Sequence, residues 1–265
     1  MTESISTPNI PFGVIADTGV VPVRKTPDER AEMVNQLLYG DLATVISQNE
    51  EWIEIKSVDD DYPGWVSKKM LTLLDSDTFN FLQERKKVFL TNIFNYIDTK
   101  AQGEIVVPAG AVLYCSHNNN DCINGEIINT NEQNLPPDRT EKIISLGKKF
   151  LGAPYLWGGK TMFGMDCSGL VQVLFRIAGI SLPRDASQQA TNGQTLNFIK
   201  EVSTGDLAFF DNEEENITHV GIFTGPGELL HASGRVRLDS IDHQGIYNKQ
   251  ESRYTHKLRL IKRVI

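Results

Sequence analysis

A proline pair divides this chain. Before Pro136-Pro137 the apolar residues fall in short runs separated by turn formers; after it they come first at helical spacing and then in strands. A sequence that changes its hydrophobic period across a polar, proline-bearing stretch folds as more than one domain, and 265 residues suffice for two or three. Helices followed by antiparallel strands define the last part as α+β.

The front half reads as two small all-β units. In the first, over 12–74, Val20-Val21-Pro22-Val23 is extended and Leu42–Ile46 is apolar. Trp52–Lys56 alternates with period two, and Gly64-Trp65-Val66 resumes a strand after Tyr62-Pro63. Short strands at this spacing predict a small barrel. Residues 75–84 read as a polar linker with room for a helical turn. A second run, over 85–130, goes from Val88-Phe89-Leu90 through Glu104–Pro108 and Ala111–Tyr114 to Glu126-Ile127-Ile128. It reads as a degenerate copy of the first. Asn131 to Asp138 reads as the linker to a third unit, over 138–265.

In that unit Thr140 is placed to cap a helix carrying Ile143, Ile144, Leu146, Phe150 and Leu151. A second helix opens at Cys167, with Leu170, Val171, Leu174, Phe175 and Ile177 as its apolar stripe and Gly179 as its terminator. A helix N-terminus presents free N–H groups and a partial positive charge, which favour a thiolate. Gly158, Gly159 and Gly164 let backbone pack closely around that turn.

Two histidines follow in strands around the turn Gly225-Pro226-Gly227. A hairpin centred on Gly225 sets His219 directly opposite His231, on one face and within hydrogen-bonding reach. Their chemistry is then that of a cysteine nucleophile. His219 takes the Cys167 proton to form a thiolate–imidazolium pair, His231 orients the His219 ring, and the Cys167 N–H is a candidate oxyanion donor.

The other two cysteines, Cys115 and Cys122, could pair only if the intervening loop folded back, and read as buried free thiols near a loop. With His117 they match no common zinc spacing, so neither a metal nor a cofactor is expected. A net charge of −8 argues against nucleic acid or an anionic membrane surface as a partner. The opening Met-Thr-Glu-Ser-Ile-Ser-Thr-Pro lacks a basic stretch and an apolar run, so a cytoplasmic location is expected, with an exported protein whose signal is absent as the alternative.

Six segments, in order, carry a resemblance. They are Pro154–Gly159, Asp166–Leu170, Leu182–Asp185, Gly205–Phe210, His219–Ile222 and His231–Ser233. Together they resemble the NlpC-type cell-wall peptidases, a bacterial branch of the papain-like cysteine peptidases. Glu32–Gly40 and Tyr62–Val66 are similar to segments of the bacterial SH3 domains that precede the peptidase in γ-D-glutamyl-L-diamino acid endopeptidases. The resemblance implies a papain-like α+β domain behind two SH3-like barrels. It also implies cleavage of murein stem peptides between γ-linked D-Glu and the diamino acid, with the first barrel selecting peptides that carry a free N-terminal L-Ala. On this reading Glu32, Tyr62, Tyr155 and Asp166 serve the substrate ammonium, and Asp185 and Ser187 line the substrate, as does Ser168 beside the nucleophile. Murein-derived peptide is the expected partner. Two other readings stay open: a non-catalytic cell-wall peptide-binding protein, and an amidase or acyltransferase on the same fold.

Overall fold

Alternating burial builds the first sheet. In this computed structural model, which describes residues 11–116, 122–128 and 136–265, seven antiparallel strands occupy the region up to Leu74. They are β1 (Gly13–Ala16), β2 (Val20–Arg24), β3 (Met33–Leu38), β4 (Leu42–Gln48), β5 (Trp52–Ser57), β6 (Pro63–Ser67) and β7 (Leu71–Leu74), in the order β3-β2-β6-β5-β4-β1-β7. Val14, Val21, Val23, Ile53, Ile55 and Val66 fill the core between them. The Asn49 side chain shapes the β4–β5 connection by accepting from the N–H groups of Glu51 and Trp52.

The stretch read as a polar linker is partly a helix, α1 (Ser76–Gln83). Asp75 caps it, and Phe79 and Leu82 are buried, so two apolar residues at i and i+3 outweigh a polar surround.

Next come β8 (Lys86–Phe89), β9 (Phe94–Thr99), β10 (Gly103–Pro108), β11 (Val112–Cys115) and β12 (Glu126–Ile127). β8 pairs with β11, and β9 lies between β10 and β12. The chain forms two compact units. Tyr96–Val107 and Ala111–Ile128 belong with the first sheet, whereas Phe89–Asn95 and Pro108–Gly110 belong with the C-terminal unit.

Cys115 and Cys122 are not free thiols but a disulfide. The chain folds back there: the two residues form an antiparallel bridge, and the Ile123 N–H donates to the Tyr114 carbonyl. Residues 1–8, His117 and linker positions 131–135 lie outside the described residues.

The C-terminal unit opens with α2 (Arg139–Lys149), capped by Asp138 rather than Thr140. The hairpin β13 (Lys160–Thr161) and β14 (Gly164–Met165) leads into α3 (Cys167–Ile177), and α4 (Ala186–Gln189) follows. Then come β15 (Gln194–Leu196), β16 (Leu207–Asp211), β17 (Ile217–Gly225), β18 (Glu228–Ser233), β19 (Arg235–Ile241), β20 (Gly245–Asn248) and β21 (Arg253–Arg263). Their order is β15-β21-β16-β17-β18-β19-β20, and a further β20–β21 pairing closes six of them into a ring. α3 is buried on nearly every side rather than along one stripe, as a helix between other layers must be. It packs against β17 and β18, the strands that carry the histidines. Among the described residues, no helix is long and apolar enough to cross a membrane.

Candidate active site

Cys167 is the first residue of α3. The preceding Asp166 caps the helix by accepting from the Gly169 N–H at 2.7 Å. The turn before it depends on close backbone approach. A Cβ on Gly169 would sit 2.3 Å from the Gly159 carbonyl oxygen, which only glycine avoids. The Cys167 Sγ lies 4.0 Å from the Thr218 carbonyl oxygen and receives the Val220 N–H. The strand positions on both sides of His219 thus bracket the sulfur.

The hairpin register differs from the expected one by two residues. His231 lies opposite Gly221, not His219, because the turn falls on Pro226-Gly227, with Gly225 paired to Glu228, rather than on Gly225; the shift between Phe223 and Gly225 takes back one residue of that displacement. A shift of two keeps each side chain on its face. His219 and His231 therefore become diagonal neighbours, and their Nε2 and Nδ1 atoms are 2.9 Å apart. Gly221 makes room for this, since a Cβ there would come within 3.0 Å of the His231 Cβ and 2.6 Å of Leu229. The next step is again diagonal. On β19, Asp239 pairs with Leu229, and its Oδ2 is 3.0 Å from the His231 Nε2. Arg237 holds the same carboxylate, with Nε 2.7 Å from Oδ2 and Nη2 2.9 Å from Oδ1. The ring of His256, from β21, stacks on His219 with centroids 4.3 Å apart.

Burial governs the electrostatics. It pushes the Cys167 thiol up to about 12, with the Asp166 carboxylate adding to it and the Val220 and Ser168 N–H groups opposing it. Burial, then His231 and His256, hold His219 well below the ordinary imidazole value. Burial, then His231, push His256 down to about 4. Burial thus favours a neutral thiol and a neutral imidazole over the expected ion pair. The helix N-terminus does favour the thiolate, but desolvation of a sulfur this deep is the larger effect. Burial also resists ionisation of Asp239, yet hydrogen bonds from His231 and Arg237 outweigh it and keep the carboxyl below its usual range. Tyr155, nearby in charge terms, has its phenol pushed up to about 12 by burial, Cys167 and Asp166.

A buried thiol at a helix start beside two hydrogen-bonded histidines can perform acyl transfer. The NlpC/P60 family matches residues 152–256, and a bacterial dipeptidyl-peptidase SH3 domain matches residues 23–71. Over 235 residues the chain is 31% identical to the gamma-D-glutamyl-L-lysine dipeptidyl-peptidase of Bacillus subtilis, spanning 79% of this chain and 77% of that protein. The chain belongs to the NlpC/P60 family. It is a cysteine peptidase of peptidoglycan, with an SH3-like region ahead of the papain-like domain. A protein of the same name from Bacillus cereus is 25% identical over 78% of this chain and 71% of its own length. The crystal structure of a Bacillus cereus NlpC/P60 family protein has the same fold, with a TM-score of 0.76 over 95% of this chain and 99% of that one at 19% identity.

Within this NlpC/P60 domain the residues expected to bind substrate fall into two groups. Asp166 and Ser168 point inward. The Asp166 oxygens accept from Gly158, Gly169 and both terminal nitrogens of Arg184, and the Ser168 hydroxyl sits 2.8 Å from Arg184 Nη1. Both carboxylate oxygens of Asp166 are thus engaged within the fold. Tyr155 is partly exposed, Asp185 is half-buried and Ser187 is exposed, the last two at the start of α4. In the SH3-like unit Arg24 pairs with Met33 on one side and Trp65 on the other. Glu32 and Tyr62, which precede β3 and β6, therefore occupy the same end of the sheet. Glu32 is exposed and ion-paired with Lys25 at 3.2 Å.

Sequence reading missed Asp239, Arg237, His256 and Arg184. For Asp239 a signal existed: Val236, Leu238 and Ser240 alternate with Arg235, Arg237 and Asp239 after the Ser233-Gly234 turn, the period of a strand.

Proposed function

We propose that this enzyme hydrolyses the bond between γ-linked D-Glu and the diamino acid of murein peptides bearing a free N-terminal L-Ala. What supports the reading is a likeness that spans both domains: the relative named for γ-D-glutamyl-L-lysine cleavage matches 79% of the chain, not the peptidase region alone. In the reaction, His219 takes the Cys167 S–H proton as sulfur attacks the γ-carbonyl carbon. The oxyanion forms against the Cys167 N–H at the head of α3, and the Tyr155 hydroxyl, held protonated by its raised pKa, is a second donor. Collapse breaks the C–N bond, and His219 gives its proton to the departing α-amine of the diamino acid. Water, deprotonated by His219, then hydrolyses the thioester and restores the thiol.

Selection of the free amine falls to Glu32 and Tyr62. An ammonium leaving water needs a carboxylate or an aromatic face. The test is to offer L-Ala-γ-D-Glu-L-Lys and the same peptide with its amine blocked by a muramyl group. Only the free peptide should be cut, and Glu32→Gln should raise KM for it roughly 10-fold or more with kcat little changed. Equal cleavage of both peptides removes the gatekeeping role.

The Cys115–Cys122 disulfide favours an oxidising compartment over the reducing cytoplasm as the working location. Protein isolated from its native cells without reductant should then take up alkylating reagent at neither of these cysteines. Full alkylation of both would point to the cytoplasm.

A further inference from the structure

We infer that Asp239 is a positioning residue: acting through His231, it decides which nitrogen of His219 carries the proton. The inference rests on the reading of His219 as the base for Cys167.

The argument is one of donors and acceptors. An ionised carboxylate only accepts, so the 3.0 Å contact between Asp239 Oδ2 and His231 Nε2 requires the proton on that nitrogen. In the neutral form of His231 that is the ring's single N–H, which leaves its Nδ1 as a lone pair. That lone pair lies 2.9 Å from His219 Nε2, so Nε2 must be the protonated nitrogen of His219. Its other nitrogen, Nδ1, is then the lone pair available for the thiol proton. Without Asp239 the His219–His231 pair makes the same number of hydrogen bonds in either direction, and one of the two directions puts a proton where the base must be. Asp239 breaks that tie.

Three further observations fit this role. His231 is 1% exposed, so bulk water does not replace the carboxylate at its Nε2. Arg237 contacts both carboxylate oxygens, fixing the acceptor geometry and keeping it ionised. His256, stacked on the His219 face, is neutral near pH 7, so no second cation competes when His219 becomes imidazolium. The tautomer matters here because the resting His219 is itself neutral.

The test pairs NMR with kinetics. In the wild-type protein, ¹⁵N shifts should show His219 protonated at Nε2 and bare at Nδ1; the reverse assignment overturns the inference without any variant being needed. In Asp239→Asn the amide N–H can donate to His231 Nε2 and reverse the chain, so His219 should become protonated at Nδ1. kcat should fall roughly 10²–10⁴-fold with KM within about twofold, the pattern of a triad held in the wrong tautomer. Asp239→Glu should recover much of the loss. In a His231→Gln background, adding Asp239→Asn should cost no more than about twofold further, since the carboxylate acts only through that ring. Activity lost with an unchanged His219 tautomer, or kcat within about threefold of wild type in Asp239→Asn, would sink the idea. The NMR arm needs no substrate, so a wrong choice of peptide leaves it standing. A wild-type enzyme inert on every wall peptide would instead overturn the proposed function.

Discussion

Cys167→Ala should lower kcat on the tripeptide by at least about 10⁴-fold, and His219→Ala should match it, with the double variant little worse than either. The three numbers belong together because sulfur and imidazole act as one unit: a base without a nucleophile, or a buried neutral thiol without a base, retains only the oxyanion donors and binding. The thermal midpoint of Cys167→Ala should stay close to wild type, since the loss is one sulfur at a helix start. Cys167→Ser should be nearly as inactive, because a hydroxyl needs a stronger base than a depressed imidazole provides. The neutral resting pair adds a pH signature. A thiolate–imidazolium pair would give a plateau of iodoacetamide alkylation across about pH 5–8. With the thiol pushed up to about 12, alkylation of Cys167 should instead climb steadily with pH through the alkaline range. His219, held below its usual value, stays neutral and able to act as base until the pH drops below the ordinary imidazole range, so catalysis weakens only on the acid side of that range. Turnover by Cys167→Ala within about tenfold of wild type would remove the cysteine from the mechanism.

Local signals carried much of this site, and the failures have physical causes. The start of α3 was legible because capping, glycine punctuation and an apolar run coincide at Asp166-Cys167. The histidine hairpin was legible only in parity. Turn residues indicate that two strands reverse, but Gly225-Pro226-Gly227 does not say which pair makes the turn; it is Pro226-Gly227, and the one-residue bulge after it restores the parity, so the face agrees and the partner does not. Asp239 is hidden by its strand, since a carboxylate that follows two arginines at alternate positions looks like a solvated face. The burial of the sulfur is not legible in the sequence, because what covers it includes β17 from far along the chain. Cys115 and Cys122 read as free thiols in the sequence because nothing in the polar loop between them shows that it folds back to bring its ends together.

Arg184 shows the same limit at its largest energetic consequence. Its guanidinium is 1% exposed and ion-paired with Asp166 through both terminal nitrogens. That one carboxylate also caps α3 at the Gly169 N–H and anchors the Gly158 N–H of the preceding loop. Gln189 reinforces the joint, its Nε2 lying 3.0 Å from the Ser168 carbonyl and 2.9 Å from that of Pro183. Arg184→Met should therefore strand a buried charge and destabilise the protein by about 3–5 kcal/mol, read as a lowered urea midpoint. Asp166→Asn keeps a helix cap but strands the guanidinium, and should cost a similar amount. The double variant should cost clearly less than the sum, because neither charge is then left alone. Since Cys167 is the residue next to Asp166, each single variant should also lose activity under conditions where it remains folded, as the first turn of α3 loosens around the sulfur. A stability change under about 1 kcal/mol for Arg184→Met would mean that water reaches the pair and that α3 is held in place by packing alone.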